Sequence, residues 1–263
     1  MNEKNQTKWI WKYRGLESPT CRWVCVPGAG QGASFFNQWI KAVPNWVEFC
    51  AIQLPGRENR IKEPLEEDFS RLLDQLASAC TELFDRPVLL FGYSMGALLA
   101  YELAGFIEES GNPWLKHFVA AGCVAPRLAT DLNRAEVNPS NFSDEMLLEY
   151  LENSNGMSIL NRNCPELVDL VLPILRADYR SYFSYEWKPG NALRVPITAI
   201  GGVDDEITIE QLEAWRYNTT GKFRTIRYPG NHSFVKSAFR AVIRDMAAIA
   251  EPIRFERWQL GRW

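Results

Sequence analysis

The chain has 263 residues, of which 46% are hydrophobic and 23% are charged, and this composition excludes a largely disordered or fibrous protein. Its formal net charge of -3 argues against a dedicated nucleic-acid-binding protein, because binding to a phosphate backbone requires a basic face. No apolar run approaches the roughly 20 residues of a membrane span, and we expect residues 1–263 to form a single domain.

Short apolar runs alternate with longer amphipathic stretches along the chain. The runs show no strict apolar–polar alternation, which is typical of strands that are buried on both faces. This order predicts an α/β fold with a mostly parallel central sheet and helices on both faces. The predicted strands are Arg22–Pro27, Val47–Leu54, Pro87–Gly92, Phe118–Val124, Val195–Gly201 and Phe223–Tyr228. The predicted helices between them are Ser34–Ala42, Glu67–Phe84, Ala97–Glu109, Ile209–Tyr217 and Phe234–Ala250.

The stretch from Arg127 to Gly190 contains no convincing strand. Phe142–Asn153 is predicted as a helix, and Pro165–Tyr185 as one or two more, with an interruption at Pro173. The stretch is longer than one crossover connection needs. We therefore predict a helical lid inserted at about residues 127–190, over the strand ends. The alternative is a decorated crossover that does not approach the site.

The cysteines and histidines predict neither disulfides nor a metal site. No Cys-x-x-Cys pair is present, and the whole chain has only two histidines to complete a metal site. Residues 1–15 hold no apolar segment followed by a small-residue cleavage site, so we expect a cytoplasmic protein. In a reducing compartment, the six cysteines are expected to be buried small hydrophobic residues: Cys21, Cys25, Cys50, Cys80, Cys123 and Cys164.

The sharpest motif is the serine of G-Y-S-M-G at Gly92–Gly96. It lies between a predicted strand and a predicted helix, which is the context of a nucleophile elbow. Glycine is expected at both ends because neighbouring segments pack too closely for a Cβ atom. The motif predicts that Ser94 is presented at a helix N-terminus, where the helix dipole favours developing negative charge. The alternative is an ordinary strand–helix turn that contains a serine.

A serine hydroxyl needs a general base, and the chain offers two histidines. His117 opens a predicted strand and is interpreted as a partly buried structural residue. His232 lies in a glycine-containing loop between the last predicted strand and the last predicted helix. From that loop it can reach a serine at the C-terminal edge of the sheet, so we predict His232 as the base.

The imidazole in turn needs an acidic residue that orients it. Asp204 and Asp205 follow a predicted strand, and the chain order Ser94, Asp204, His232 is that of the α/β-hydrolases. We predict Asp204, with Asp205 as the neighbouring alternative and Asp178 as a weaker candidate from the insertion. The alternative for the two adjacent acids is an acidic turn.

An oxyanion hole needs two backbone N–H groups. Met95, the residue after the serine, is expected to supply one of them. The glycine-rich loop Val26–Ala33 is expected to supply the other, because glycine lets the backbone approach a substrate oxygen. The loop is not a phosphate-binding loop, since it lacks the lysine and the glycine spacing of one.

Several segments of this chain resemble those of a known family. They are Val26–Gly30, Leu54–Glu58, Gly92–Gly96, Pro173–Asp178, Gly202–Asp204 and the loop of His232. The chain resembles the stand-alone type II thioesterases that accompany modular polyketide synthases and nonribosomal peptide synthetases. It is also similar to the medium-chain acyl thioesterases that act on fatty acid synthase. The P-G-R-E and L-R-A-D segments are more specific than the elbow, because few other hydrolases carry both.

The resemblance implies an α/β-hydrolase fold and a set of site residues. It implies Ser94 as the nucleophile, His232 as the base and Asp204 as the orienting acid. It also implies Ala29 and Met95 as oxyanion donors through their backbone N–H groups. Residues 127–190 correspond to the family's helical lid over the acyl channel.

The resemblance further implies a serine hydrolase that removes acyl groups from the phosphopantetheine thioester of acyl or peptidyl carrier proteins. The implied role is the editing of stalled or misprimed synthases. We expect no cofactor, since the partner protein brings the substrate on its own arm, and no membrane or nucleic-acid partner. The alternatives are product release or acyl transfer, a small-molecule carboxylesterase, and an inactive carrier-protein-binding module.

Three residues depart from the family pattern. Tyr93 stands where histidine is usual, Gln31 replaces the second loop glycine, and Ser233 follows the histidine where an aromatic residue is common. None of the three removes a catalytic atom. We therefore expect an active enzyme in which these departures bear on substrate choice.

Overall fold

A mostly parallel sheet forms the centre of the molecule. The computed structural model describes residues 8–14, 18–135, 137–153, 165–190 and 192–260. The strands are β1 (Ile10–Arg14), β2 (Cys21–Val26), β3 (Val47–Ile52), β4 (Val88–Tyr93), β5 (Leu115–Ala121), β6 (Ile197–Gly202) and β7 (Phe223–Tyr228). They lie in the order β1-β3-β2-β4-β5-β6-β7, and every neighbouring pair is parallel except β1 and β3. The predicted α/β class is confirmed, and each of the six predicted strands overlaps an observed one.

Strand β1, the antiparallel edge strand, was not predicted from the sequence. Its sequence, I-W-K-Y-R, mixes apolar and basic residues over only five positions. It pairs with β3 alone, from Ile10 opposite Ile52 to Arg14 opposite Phe49, with an irregularity after Lys12. A strand with one neighbour needs no continuous apolar run, so it lacks the signal that identified the central strands.

The helices are α1 (Phe69–Cys80), α2 (Met95–Glu109), α3 (Pro126–Ala135), α4 (Asp144–Asn153), α5 (Pro165–Phe183), α6 (Ile209–Glu213), α7 (Phe234–Ser237) and α8 (Phe239–Leu260). The stretch predicted as a helix at Ser34–Ala42 is a 3-10 helix over Ala33–Trp39. Helix α1 begins after Asp68, whose carboxylate accepts a hydrogen bond from the Arg71 N–H at 2.9 Å and so caps the first turn. None of the helices that the structure describes is long and apolar enough to cross a bilayer.

Alternate residues of the central strands divide the core into two layers. Val24 and Leu90 join a cluster with residues of α1 and α2, whereas Trp23 and Phe91 join a second cluster with residues of α8. All four side chains are fully buried. Burial on both faces explains why the predicted strand runs lacked polar alternation.

Three helices, α3 to α5, occupy the chain between β5 and β6, within the stretch predicted as an insertion. The prediction missed α3. It was wrong about Pro173, since α5 continues through that residue from Pro165 to Phe183. Proline costs a helix one backbone hydrogen bond and adds a clash, but the neighbouring turns of α5 still form. Residues 136 and 154–164 of the predicted insertion lie outside the described residues.

The cysteines and His117 were predicted to be structural, and those that the structure describes are buried. The described cysteines, Cys21, Cys25, Cys50, Cys80 and Cys123, are buried free thiols, and Cys164 lies outside the described residues. His117 is 9% exposed, and its Nε2 lies 2.8 Å from Thr198 Oγ1. Burial and the nearby Arg224 guanidinium lower the pKa of His117 to about 4. A neutral imidazole inside the sheet is therefore favoured at this position.

Candidate active site

Ser94 lies in the sharp turn between β4 and α2, as predicted. Its backbone has φ 53° and ψ -127°, a conformation that non-glycine residues seldom adopt. A Cβ atom at Gly92 would lie 2.3 Å from the Gly96 carbonyl oxygen, and one at Gly96 would lie 2.3 Å from the Pro27 carbonyl oxygen. Glycine is thus required on both sides of the serine, which confirms the packing argument made from the motif.

His232 lies beside this serine. Its Nε2 atom is 3.2 Å from Ser94 Oγ, although 138 positions separate the two residues in sequence. The loop after β7 holds the histidine, and a bond from the Phe234 N–H to the Asn231 carbonyl oxygen (2.9 Å) closes that loop. The two predicted residues are therefore within hydrogen-bond reach of each other.

The acid at the imidazole is Asp205, and the prediction of Asp204 is wrong. The Asp205 carboxylate oxygens lie 3.1 and 3.3 Å from His232 Nδ1, and this side chain is 3% exposed. Asp204 is an exposed residue whose backbone N–H donates to the Gly230 carbonyl oxygen at 3.0 Å. Asp204 lies in the turn that follows β6 and Asp205 in the bend after it, and this turn directs only the second of the two adjacent acids toward the histidine.

Tyr93 contacts His232 through both its hydroxyl and its ring, and this supporting role was not predicted. Its side chain is 1% exposed, and its hydroxyl donates to the His232 carbonyl oxygen at 2.8 Å. Its ring centroid lies 5.4 Å from that of His232 and stacks on Phe35 at 5.3 Å. Burial raises the pKa of the Tyr93 hydroxyl, so it stays protonated and can donate.

The glycine-rich loop after β2 is held by hydrogen bonds on both sides of Ala29. The Gly28 N–H donates to the Gln31 side-chain oxygen (3.1 Å), and the Gln31 N–H returns to the Gly28 carbonyl oxygen (3.2 Å). The Gly30 N–H donates to Asp178 Oδ2 at 2.7 Å. Among the described residues, the Ala29 N–H has no such partner, so it is left available to a ligand.

Met95 supplies a second available N–H group on the other side of Ser94. It is the first residue of α2, and the N–H groups of a first helical turn have no acceptor within the helix. Ala29, Ser94 and Met95 all line the same cavity. The structure thus brings both predicted donors to the nucleophile.

Asp178, the weaker candidate for the acid, lies elsewhere in the site. Its carboxylate pairs with Arg57, with Nη1–Oδ2 and Nη2–Oδ1 distances of 2.6 and 2.8 Å. The side chains of Arg57 and Asp178 are 4% and 0% exposed. These residues belong to the P-G-R-E and L-R-A-D segments, which the sequence analysis recognised as specific without predicting that they meet.

A cavity of about 300 Å³ opens beside Ser94. Such a volume is at the small end of typical ligand pockets. Residues of the stretch between β5 and β6 form one wall: Leu132, Asn133, Tyr150, Tyr179, Tyr182 and Phe183. The segment after β6 adds Glu206, Ile207 and Gln211. The predicted insertion therefore does reach the site, and the decorated crossover that avoids it is excluded.

The arrangement suits acyl transfer through a serine. A hydroxyl, an imidazole and a buried carboxylate follow one another within hydrogen-bond distance, and Ala29 and Met95, the two residues predicted to donate their N–H groups, line the adjoining cavity. No group of three or more histidine, cysteine or acidic side chains placed to hold a metal ion occurs within the described ranges.

Comparison with known proteins identifies one family. The thioesterase domain family matches residues 22–250. The gramicidin S biosynthesis protein GrsT of Aneurinibacillus migulanus is 34% identical over 240 residues, which cover 91% of this chain and 92% of that protein. The solved structure of the type II thioesterase BorB from the borrelidin biosynthetic cluster has a TM-score of 0.85 at 32% identity, covering 94% of this chain and 99% of that one. The RedJ thioesterase of the prodiginine pathway in Streptomyces coelicolor has a TM-score of 0.81 at 34% identity, covering 88% and 91%.

Proposed function

Since this chain belongs to the thioesterase family and has the α/β-hydrolase fold of its relatives, we propose that it hydrolyses acyl thioesters on carrier proteins of a polyketide or nonribosomal peptide synthase. The observation that carries the proposal is the alignment of Ser94, His232 and Asp205 at the cavity. The relatives named above come from biosynthetic clusters and pathways, and the similar ClbQ structure, at 25% identity, comes from the colibactin NRPS/PKS pathway, which supports carrier-bound substrates.

The first step forms an acyl-enzyme. Ser94 Oγ attacks the thioester carbonyl carbon while His232 Nε2 takes the hydroxyl proton. Asp205 accepts the Nδ1–H of the ring and stabilises the imidazolium that results. The carbonyl oxygen becomes an oxyanion that accepts hydrogen bonds from the N–H groups of Ala29 and Met95. Each such donor contributes about 3 kcal/mol in comparable sites.

The second step releases the acyl group. As the tetrahedral intermediate collapses, the C–S bond breaks and His232 returns its proton to the departing thiolate. Water then gives a proton to His232 and attacks the acyl-serine carbonyl carbon. A second oxyanion forms in the same position. As it collapses, the bond between the acyl carbon and Ser94 Oγ breaks, His232 returns its proton to Oγ, and the free acid leaves. No cofactor takes part, because the phosphopantetheine arm belongs to the substrate.

We also propose that residues 1–263 form one domain in which α3 to α5 act as a lid over the acyl channel. The support is the cavity wall, to which these helices contribute Tyr150, Tyr179, Tyr182 and Phe183. The aromatic side chains give this wall an apolar surface with polar hydroxyl groups, which suits a short acyl chain that carries oxygen. The free buried thiols suit the reducing cytoplasm, where we place the reaction.

Editing is the role that we propose for this reaction, and a panel of substrates tests it. Carrier proteins loaded with acetyl, propionyl and a longer intermediate are incubated with the enzyme, and intact mass spectrometry follows the loss of each acyl group. We expect hydrolysis of the short acyl groups by the wild type and none above background by Ser94→Ala. Ser110→Ala is the matched control, since Ser110 caps the opposite end of α2 and its hydroxyl donates to the Ile107 carbonyl oxygen there.

Three results would contradict the proposal. Undiminished turnover by Ser94→Ala would exclude this serine as the nucleophile. Preference for the longest intermediate would favour product release over editing. Faster turnover of a matched oxygen ester than of the thioester would favour a carboxylesterase.

A further inference from the structure

A buried ion pair joins helix α5 to the loop that contains Ala29. Arg57 lies in the segment after β3, and Asp178 lies in α5, 121 positions later. Their charged groups form two parallel hydrogen bonds of 2.6 and 2.8 Å, almost without solvent exposure. Neither side chain lines the cavity. Any effect of the pair on the reaction therefore passes through other residues.

Both partners also hold the loop directly. Asp178 Oδ2 accepts from the Gly30 N–H at 2.7 Å, and Arg57 Nη1 donates to the Gln31 carbonyl oxygen at 3.2 Å. Gly30 and Gln31 directly follow Ala29. The charged pair thus anchors the peptide unit that directly follows the proposed oxyanion donor, through the Gly30 N–H, and the Gln31 carbonyl group further along the same loop.

The orientation of the Ala29 N–H depends on its two neighbouring peptide groups, because each peptide unit is planar and turns as a whole. The Gln31 side chain holds the unit before it through the Gly28 N–H (3.1 Å). Asp178 holds the unit after it through the Gly30 N–H (2.7 Å). Gly30 has φ 70°. Because glycine adopts positive and negative φ angles alike, this backbone can take another conformation once that hydrogen bond is lost.

We propose that Arg57 and Asp178 are positioning residues that aim the Ala29 N–H at the substrate oxygen. Asp178 supplies the acceptor for the loop, and Arg57 fixes that carboxylate in one orientation through two parallel hydrogen bonds. The proposal rests on the proposed function, since the aim of this N–H matters only where an oxyanion forms. Because Tyr179 follows Asp178 and lines the cavity, the same pair also ties the acyl-facing wall to the loop.

A second buried ion pair offers a matched control. Arg22 and Glu48 lie near the beginnings of β2 and β3, at the end of the sheet opposite to the site. Their side chains are 3% and 8% exposed, so removal of either charge leaves a buried partner, as it does for Arg57 and Asp178. Arg22 keeps its bond to Asp85 (Nη1–Oδ1 2.8 Å), so Glu48→Gln should cost less stability than Asp178→Asn while it leaves the loop untouched.

The test compares Asp178→Asn and Glu48→Gln in the full chain, at a temperature well below both melting temperatures. The substrate is the propionyl thioester of N-acetylcysteamine, which needs no carrier protein. We expect Asp178→Asn to lower kcat about 10- to 100-fold, as a misplaced catalytic group does, and to leave KM within about threefold. Acylation and deacylation both pass through an oxyanion, so the substitution should slow both steps alike. KM is therefore expected to change little. Glu48→Gln should leave kcat within about twofold of the wild type.

A fall in kcat that is equal in the two variants, or a kcat for Asp178→Asn within about twofold of the wild type, would overturn the proposal. If Asp178→Asn does not fold, Arg57→Lys serves instead, since it keeps the charge but loses the two-pronged geometry. It should lower kcat at unchanged KM, and an unchanged kcat would overturn the proposal equally.

Failure of the proposed function would be visible separately, as a wild-type enzyme that hydrolyses no thioester. In that case the rate at which a fluorophosphonate labels Ser94 decides the positioning role. That attack also develops charge on an oxygen beside the Ala29 N–H. Labelling slowed about tenfold or more in Asp178→Asn but not in Glu48→Gln would support positioning, and equal rates would overturn it.

Discussion

The two histidines of this chain occupy opposite kinds of environment. His117 lies within the sheet, 9% exposed, against Thr198 Oγ1 and near the cation of Arg224. The His232 side chain is 22% exposed and stands between a serine hydroxyl and the carboxylate of Asp205. The surroundings of His117 favour a neutral imidazole, whereas His232 lies beside a carboxylate that stabilises a protonated ring.

The difference teaches that a catalytic histidine is defined by its neighbours on both nitrogens. At His117, a proton on the ring would be buried beside a positive charge, which is unfavourable in a medium of low polarity. At His232, the proton taken from Ser94 is stabilised by Asp205 across the ring.

Replacement of each histidine should have very different consequences for catalysis. We expect His232→Ala to lower kcat/KM for an acyl thioester by about 10⁴-fold or more, since the serine loses its base. His117→Gln should stay within about threefold of the wild type, because it lies away from the cavity. Steady-state hydrolysis measures kcat/KM of both variants. Comparable losses of kcat/KM would contradict the assignment of His232 as catalytic and His117 as structural.

The two adjacent acids provide the next comparison. Asp205→Asn should lower kcat by about 10³- to 10⁴-fold, because the amide neither stabilises the imidazolium nor favours the correct tautomer. Asp204→Asn removes the same charge one position earlier and should leave kcat within about twofold. The same thioester assay measures both variants. A larger loss in Asp204→Asn than in Asp205→Asn would contradict the geometry described here.

His117 should instead affect the pH dependence of stability. Its pKa of about 4 in the folded state lies below the ordinary value of 6.5, so the unfolded chain binds the proton first as the pH falls. This contribution to stability is fully present above pH 6.5 and is lost between pH 6.5 and about 4, with a total of about 3 kcal/mol.

Urea unfolding at pH 7, 5.5 and 4.5 tests this expectation. His117→Gln cannot titrate, so it should lose less stability over this range than the wild type does, while the carboxylates titrate alike in both. Parallel losses in the two proteins would mean that His117 is not held neutral by the fold.

Tyr93 should have the smallest effect of the four. Tyr93→Phe removes the hydroxyl that holds the His232 carbonyl oxygen but keeps the ring between Phe35 and the histidine. We expect kcat to fall about 3- to 10-fold, since a slightly displaced base still functions, and stability to fall by about 1 kcal/mol. Tyr101→Phe is the control, because its hydroxyl bonds Asn218 away from the cavity. Equal kcat values in the two variants would show that the Tyr93 hydroxyl does not support the position of His232.

Much of the fold was predictable because burial on both faces leaves an unbroken apolar run. The runs around Val24 and Leu90 fit this rule. The edge strand β1 was not predictable, since it has a single neighbour and tolerates Lys12 and Arg14. The predicted last helix is broken at Ala238 into α7 and α8, and no proline or glycine marks the break. Such a boundary depends on tertiary packing, which the local sequence does not record.

The candidate site was predictable where a motif fixes the backbone. The glycines around Ser94 permit only one kind of turn, and the chain has only one histidine in a suitable loop. The choice between Asp204 and Asp205 depends on how the turn after β6 orients two adjacent side chains, which the local sequence does not record. The contact between Arg57 and Asp178 joins segments 121 positions apart, so no local pattern could have shown it.

The unusual backbone of Ser94 has a consequence for the evolution of this protein. A non-glycine residue at φ 53° and ψ -127° costs about 1–3 kcal/mol, which the surrounding structure must supply. Glycine would adopt the same shape with little strain, but it has no hydroxyl. Selection for heat resistance alone would therefore favour the loss of the reactive group, and only selection on turnover keeps residue 94 a serine.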